Sequence, residues 1–189
     1  FGRMTYVTNH DQNGNNDGGK LSTLYGSNRY AMTVMSFTVN GMPLIYNGQE
    51  IGDNDVLNYF EDATKVNWSN VDATMQTLVG KLAQLKHEQL PLANRPAYQT
   101  ATATLNASSS DVLAYVRTID NEAVLVVLNL SSSQQTFRIS DVNPGTYSQV
   151  IKGSASSIDV TATDVTLATD GNITLDANGY AVYVLKEAA

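Results

Sequence analysis

The sequence predicts an α/β fold over its first half and an all-β fold over its second half. In the first half, short apolar runs with little alternation are followed by patterns of helical period, which is typical of parallel strands covered on both faces. In the second half, segments of alternating polarity follow one another and are separated by turn signals. The change falls near Tyr98, and residues 90–96 are the predicted boundary. The predicted domains are residues 1–95 and 96–189.

The first domain is predicted to contain two strand–helix units. Its strands are residues 4–7 and 43–46, and its helices are capped by Ser27 or Asn28 and by Asp72. Two such units do not close a domain, so we interpret them as the tail of a longer α/β array that the rest of a parent protein, or another chain, must complete. Residues at helical spacing on the inner helix faces are Ala31, Val34, Met35, Thr38, Met75, Leu78, Val79, Leu82 and Leu85.

The second domain is predicted to be an antiparallel sandwich that could fold alone. Its predicted strands, each of alternating polarity, are residues 112–119, 123–130, 136–139, 147–151, 173–175 and 180–185. Residues 154–169, rich in Ser, Thr, Ala and Asp, are predicted to form surface strands and loops.

Composition excludes several classes of partner. The net charge is −7, which argues against nucleic acid and anionic membranes and favours a neutral substrate. The absence of cysteine excludes disulfides and thiolate metal sites. No apolar stretch approaches the roughly 20 residues of a membrane span, and no signal peptide begins the chain. The compartment stays open, although the acidic, Ser/Thr/Asn-rich composition favours an extracytoplasmic or secreted bacterial protein.

The candidate site residues are Asn9, His10 and Asp11, which directly follow the first predicted strand. In (β/α)8 barrels, catalytic groups lie at the carboxyl ends of strands. A histidine beside an aspartate can hydrogen-bond sugar hydroxyls, and the carboxylate can stabilise positive charge on a sugar ring. The alternative is a solvated turn, which the tripeptide alone favours because Asn and Asp are common in turns.

A second motif favours a functional site over a solvated turn at residues 9–11. Residues 41–52 have the sequence Gly-Met-Pro-Leu-Ile-Tyr-Asn-Gly-Gln-Glu-Ile-Gly, and residues 6–11 have the sequence Tyr-Val-Thr-Asn-His-Asp. Together they resemble the seventh and eighth strands of the α-amylase family of retaining glycoside hydrolases. The resemblance continues through residues 60–62 and Trp68 to the end of the second helix, and more weakly through the terminal sandwich.

The resemblance implies a fold and roles for the site. Residues 1–95 would be the C-terminal portion of a (β/α)8 TIM barrel, and residues 96–189 a C-terminal Greek-key β-sandwich. Asp11 matches the carboxylate that stabilises the transition state, His10 matches the histidine that contacts the same sugar, and Asn9 is expected to be a supporting residue. The positions Tyr46, Gln49 and Glu50 are mostly structural in the family.

A retaining glycosidase also needs a nucleophile and an acid about 5 Å apart. In this family they follow the fourth and fifth strands, and neither segment is in this chain. We therefore expect the chain alone to be inactive, and the parent protein to hydrolyse α-glucans such as starch and maltooligosaccharides. No metal site or cofactor is predicted here, although calcium is possible in the parent protein, because the family's usual calcium ligands lie mostly in the missing part.

Other interpretations stay open. The chain could be a non-catalytic structural or glucan-binding module, or the parent protein could be a transglycosylase or α-glucosidase of the same family. Trp68 could equally stack on a sugar or pack. An isolated fragment is expected to oligomerise through its open strand edges or to be poorly soluble. Core packing is favoured over a glycan-binding platform for the tyrosines of the second half, which are Tyr98, Tyr115, Tyr147, Tyr180 and Tyr183.

Overall fold

The computed structural model describes residues 2–14, 19–58, 64–93 and 100–189. Within these ranges, the first half contains short strands and helices and the second half is antiparallel sheet. The predicted boundary at residue 95 lies outside the described residues, so the division of the chain at that point stays a prediction.

Two short strands of the first half pair in parallel, as the sequence predicts. They are β1 (Met4–Thr5) and β2 (Met42–Pro43), aligned residue for residue. Both are shorter than the predicted strands, residues 4–7 and 43–46, since only two residues of each are paired, and the N–H of Leu44 adds a bond to the carbonyl of Thr5 at 2.8 Å. The predicted parallel arrangement is therefore confirmed and its length is corrected.

The described residues of the first half include four α-helices. They are α1 (His10–Asn13), α2 (Leu21–Tyr25), α3 (Arg29–Thr38) and α4 (Ala73–Glu88). Single 3₁₀ turns lie at Gly26–Asn28, Gln49–Ile51 and Leu90–Leu92. The long helices α3 and α4 match the sequence prediction. The short helices α1 and α2 were not predicted, because four or five residues are too few to show a helical period.

The side-chain cap predicted for α4 is confirmed, whereas the one predicted for α3 is corrected. Asp72 Oδ1 accepts a hydrogen bond from the N–H of Met75 at 3.0 Å. Asn28 precedes α3, but its side chain makes no capping bond. Its Nδ2 instead donates to the carbonyl of Leu130, and its Oδ1 accepts from Nδ2 of Asn178, both at 2.9 Å. Asn28 thus joins the helix start to the second half.

The second half is built from nine strands that pair antiparallel. They are β3 (Ala101–Ala107), β4 (Val112–Ile119), β5 (Glu122–Asn129), β6 (Gln135–Ser140), β7 (Gly145–Gly153), β8 (Ile158–Asp159), β9 (Thr163–Leu167), β10 (Gly171–Leu175) and β11 (Tyr180–Ala188). All six predicted strands are present, with ends that differ by three residues at most. The short strands β8 and β9 lie in the predicted surface region, and β3 was not predicted.

The strand order defines a main sheet, β3-β4-β5-β11-β7, with β8 and β9 both paired to β7. Strand β6 pairs with β10 and with the last residues of β3, where Asn106 lies opposite Ser140. Strand β3 thus leaves the main sheet at its end and connects it to the β6–β10 pair.

Both faces of the main sheet are covered. In β5, Val124 and Val126 pack with residues of α3 and α4, whereas Leu125 and Val127 pack with residues of β6 and β10. This alternation follows from the pleat, which points successive side chains to opposite faces. The alternating polarity predicted for residues 123–130 is therefore wrong, since a strand covered on both faces is apolar throughout.

The packing on the helix side forms one core, here called the helix-face core, from both halves of the chain. Five predicted positions on α4 are in it with exposures of 5% or less, and Ala31 and Val34 of α3 are fully buried. The sheet contributes Tyr115, Val124, Val126, Leu128, Ile151, Tyr180 and Val182. Among the described residues, no helix is long and apolar enough to cross a bilayer.

Two cations lie beside the helix-face core. Lys86 Nζ donates to the carbonyl of Gly41 at 2.8 Å, and burial together with the charge of Arg117 lowers the pKa of Lys86 to about 8. Arg117 of β4 is 1% exposed and its Nη2 donates to Thr100 Oγ1. Its Nε and Nη1 are buried without a hydrogen-bond partner, and within the described ranges no carboxylate pairs with either cation.

The depressed pKa of Lys86 predicts a pH dependence of stability. Below about pH 8 the lysine is charged in both states and its burial penalty stands in full. Between pH 8 and 10.5 the folded chain loses the proton while the unfolded chain keeps it, so the free energy of unfolding rises with pH. Urea unfolding at pH 7, 8 and 9 should show this rise in wild type and in exposed Lys152→Met. It should be lost in Lys86→Met, and an unchanged slope in that variant would contradict the assignment.

Replacing Arg117 with an apolar residue should stabilise the chain. Arg117→Met removes a buried charge that lacks a carboxylate partner and keeps most of the side-chain volume, so we expect a gain of about 1 kcal/mol in the free energy of unfolding. Urea denaturation at pH 7 measures the gain, and exposed Arg138→Met is the control. A loss of about 1 kcal/mol or more in Arg117→Met would show that the guanidinium is stabilising where it lies.

Candidate functional site

The candidate site lies on the turn that follows β1. Asn9 has extended backbone and its Oδ1 accepts from the N–H of Gln12 at 2.9 Å, so it is the N-cap of α1. The carbonyl of Asn9 also accepts from the N–H of Asn13 at 2.9 Å. Its supporting role is thus to start the short helix that carries His10 and Asp11.

His10 and Asp11 are brought together on the first turn of α1. His10 Nε2 lies 3.2 Å from Asp11 Oδ1, and their side chains are 66% and 75% exposed. A carboxylate and an imidazole side by side on an exposed turn can offer one hydrogen-bond acceptor and one donor to the hydroxyls of the same ligand. The structure therefore presents both predicted residues to the surface.

A buried asparagine two residues further along ties this turn to the loop after β2. Asn13 is 6% exposed. Its Nδ2 donates to the carbonyl of Asp55 at 3.1 Å, and its Oδ1 accepts from the N–H of Leu57 at 2.9 Å. The sequence argument missed Asn13. The available signal was its spacing of four residues from the Asn9 cap, which places it at the end of one helical turn.

The loop after β2 is shaped by glycines and one carboxylate. Gly48 and Gly52 flank the 3₁₀ turn with φ of 90° and 70°, which residues with a Cβ rarely adopt. Asp53 Oδ1 accepts from the N–H of Asp55 at 3.2 Å and its Oδ2 from the N–H of Asn67 at 3.4 Å. Asp53 thus holds its own loop.

An open groove of about 580 Å³ lies along this loop. Its rim carries Trp68, which is 57% exposed. The other described lining residues are Tyr46, Asn47, Leu57, Asn58, Thr64, Lys65 and Val66. The exposed indole fits the stacking alternative for Trp68 better than packing. Phe60, Glu61 and Asp62 lie outside the described residues.

The four tyrosines of the second half that the structure describes do not form a glycan platform. Tyr115, Tyr147, Tyr180 and Tyr183 are all 4% exposed or less, and burial raises the pKa of each hydroxyl. The favoured interpretation, core packing, is confirmed for these four, and Tyr98 lies outside the described residues. In the described ranges, no cluster of three or more His, Asp or Glu residues is arranged to hold a metal ion.

The second half of the chain matches a known family of protein domains. A family model described as the alpha-amylase SusG C-terminal domain matches residues 112–179. Together with the relatives below, it indicates that the chain is a C-terminal region of the alpha-amylase family, which confirms the resemblance seen in the sequence.

Particular relatives agree with this class. Alpha-amylase MalA of Haloarcula japonica is 31% identical over 164 residues, which covers 85% of this chain and 23% of the relative. A noncanonic maltogenic alpha-amylase, AmyB of Thermotoga neapolitana, superposes with a TM-score of 0.74 at 17% identity, over 99% of this chain and 42% of that chain. For the Geobacillus thermoleovorans alpha-amylase GTA the values are 0.69, 17%, 100% and 40%.

The matches cover most of this chain but only a part of each relative. The chain spans about a quarter of the length of the curated relatives and about two fifths of the solved structures. At 17% identity the solved structures establish the fold alone.

Proposed function

We propose that this chain is the carboxyl-terminal part of a retaining α-glucan hydrolase of the alpha-amylase type. In this proposal, residues 1–95 complete a (β/α)8 barrel as its seventh and eighth units. The parallel pairing of β1 with β2, each followed by a long helix, supports it. In the described structure each of these strands has one strand neighbour, whereas a closed barrel gives every strand two.

The surface of the strand pair also supports an incomplete barrel. Met4 and Met42, which lie opposite each other, are 54% and 55% exposed, and Tyr6 is 44% exposed. On the opposite face, Thr5 Oγ1 donates to the carbonyl of Ser36 in α3 at 2.7 Å. One face is therefore covered by helix and the other is apolar and open, which is the face that the remaining strands of the parent protein would cover.

The observation that carries the proposed chemistry is the exposed His10–Asp11 pair at the carboxyl end of a parallel strand. In a retaining mechanism the transition state resembles an oxocarbenium ion. The Asp11 carboxylate would stabilise that positive charge, and His10 would hydrogen-bond hydroxyls of the same sugar. The nucleophilic aspartate and the acidic glutamate would come from the preceding part of the parent protein, so this chain alone is proposed to be inactive.

The proposed substrates are α-glucans such as starch and maltooligosaccharides. Two proteins with the same fold support oligosaccharide binding, since GTA was crystallised with acarbose and AmyP with maltose. The net charge of −7 fits a neutral substrate and disfavours nucleic acid or an anionic membrane as a partner. Any calcium is proposed to belong to the parent protein.

One observation favours the alternative of a glucan-binding module without catalysis. The groove beside the site carries an exposed tryptophan, Trp68, and aromatic faces bind sugar rings by stacking. A transglycosylase or α-glucosidase of the same family would use the same turn, because the acceptor is selected by surfaces outside this chain.

Substitution of Asp11 in the parent protein tests the proposed role. Asp11→Asn keeps the shape and removes the charge, so kcat on maltoheptaose should fall by about 10²- to 10³-fold. Reducing-end release measures the effect, and Asp111→Asn, at an exposed aspartate of the second half, is the matched control with unchanged kcat. The purified 189-residue chain should release no reducing ends. Full activity of Asp11→Asn would contradict the role of Asp11, and an inactive wild-type parent would contradict the hydrolase proposal.

A further inference from the structure

Asn13 is a buried asparagine whose side-chain nitrogen and oxygen each make one hydrogen bond across a long sequence separation. It lies one helical turn after Asn9, and both its long-range bonds go to the backbone of residues 55–57. A buried amide that donates once and accepts once to backbone has a fixed orientation, because rotating it would leave a donor facing a donor. Asn13 therefore fixes α1 against the loop after β2.

The two bonds of Asn13 to the loop after β2, here called the Asn13 clamp, lie next to the groove. A cavity of about 10 Å³, room for about one water molecule, lies beside it and is lined by Asn13 and Thr8 on the β1 side. On the β2 side it is lined by Tyr46, Asn47 and Leu57, three residues that also line the open groove. The groove wall and the turn with His10 and Asp11 thus meet at Asn13.

We propose that Asn13 is the positioning residue for Asp11, a role that rests on the proposed hydrolase function. Asp11 is 75% exposed, and its direction depends on a helix of four residues. So short a helix is not stable by itself, because nucleation is unfavourable. The bonds of Asn13 hold the last residue of this helix to the loop after β2, and so supply the missing rigidity to the turn that carries the Asp11 carboxylate. Misplacement of a catalytic group by about 1 Å can cost about 10²-fold in rate.

Two substitutions separate the parts of this role. Asn13→Leu has a similar size and removes both bonds. Asn13→Asp can still accept from the N–H of Leu57, but an ionised carboxylate cannot donate to the carbonyl of Asp55. A protonated carboxyl group can donate, so the second variant restores the lost bond at low pH.

The first arm measures kcat and KM on maltoheptaose in the full-length parent protein. Asn13→Leu should lower kcat by about 10- to 100-fold and change KM by less than about threefold. The matched control is Asn28→Leu, because Asn28 also makes one donated and one accepted long-range bond, away from the site. Both variants should lose stability, and only Asn13→Leu should lose kcat. Equal kcat losses in the two variants, or unchanged kcat in Asn13→Leu, would overturn the proposal.

The second arm uses pH as a readout that a merely structural role would not move in this direction. The ratio of kcat for Asn13→Asp to kcat for wild type should rise as pH falls. The titratable residues lining the adjoining cavity are Tyr46, Asp53 and Asp55, and the carboxylates of the two aspartates favour the protonated form of a new aspartate there. A ratio that stays constant or falls with falling pH would count against the clamp.

A third measurement separates failure of this inference from failure of the proposed function. Hydrogen exchange at the N–H of Leu57 reports the clamp without any substrate, and it should be faster in Asn13→Leu than in Asn28→Leu. Equal exchange in the two variants would overturn the clamp. If wild-type parent protein shows no hydrolysis of maltoheptaose, the positioning role for that reaction falls with the proposed function, while the exchange result still decides whether Asn13 joins the two loops.

Discussion

The packing of α3 and α4 onto one face of the main sheet is the contact on which the rest of the structure depends. The layers involved are the helices, the main sheet and the β6–β10 pair. The helices have one apolar face to bury, and the central strand β5 is apolar on both faces, so none of these surfaces is covered without the neighbouring layer. Tyr30 OH donates to Asp72 Oδ2 at 2.5 Å between α3 and the start of α4, and Thr38 Oγ1 pairs with Tyr115 OH at 2.5 Å between α3 and the sheet, so these polar groups are satisfied. The hydroxyl of Tyr180, buried in the same core, has no hydrogen-bond partner among the described residues. Because apolar burial is non-directional, the bond between Thr38 and Tyr115 helps to fix the orientation of α3 on the sheet.

The two helices of this packing also support the strand pair from which the candidate site extends. Strand β2 is joined to α4 through Lys86 and Gly41, and β1 is joined to α3 through Thr5 and Ser36. The turn after β1 therefore extends from a supported strand pair, although the turn itself is short and exposed. The side chains of His10 and Asp11 are therefore exposed, whereas the backbone that carries them is held by the bonds of Asn13 and by the strand pair that α3 and α4 support.

Much of the fold could be predicted because its elements are long enough to show a period. The face of α4 from Met75 to Leu85 and the cap at Asp72 follow from spacing alone. What could not be predicted depends on long-range contacts: Asn28 bonds Leu130 instead of capping α3, and β5 is apolar because the helices cover its second face. For the candidate site, the motif points to Asn9, His10 and Asp11. The partners of Asn13 lie in a loop at residues 55–57, and such long-range contacts do not follow from local sequence pattern.

The central claim is that the helices and the main sheet form one cooperative unit, and native-state hydrogen exchange of the intact chain tests it most directly. The amides of Leu82 in α4 and Val126 in β5, both 1% exposed or less, should open with the same free energy and the same dependence on denaturant. A lower opening free energy at Leu82, with Val126 still protected, would show that the sheet holds its structure without the helices and would contradict the shared core.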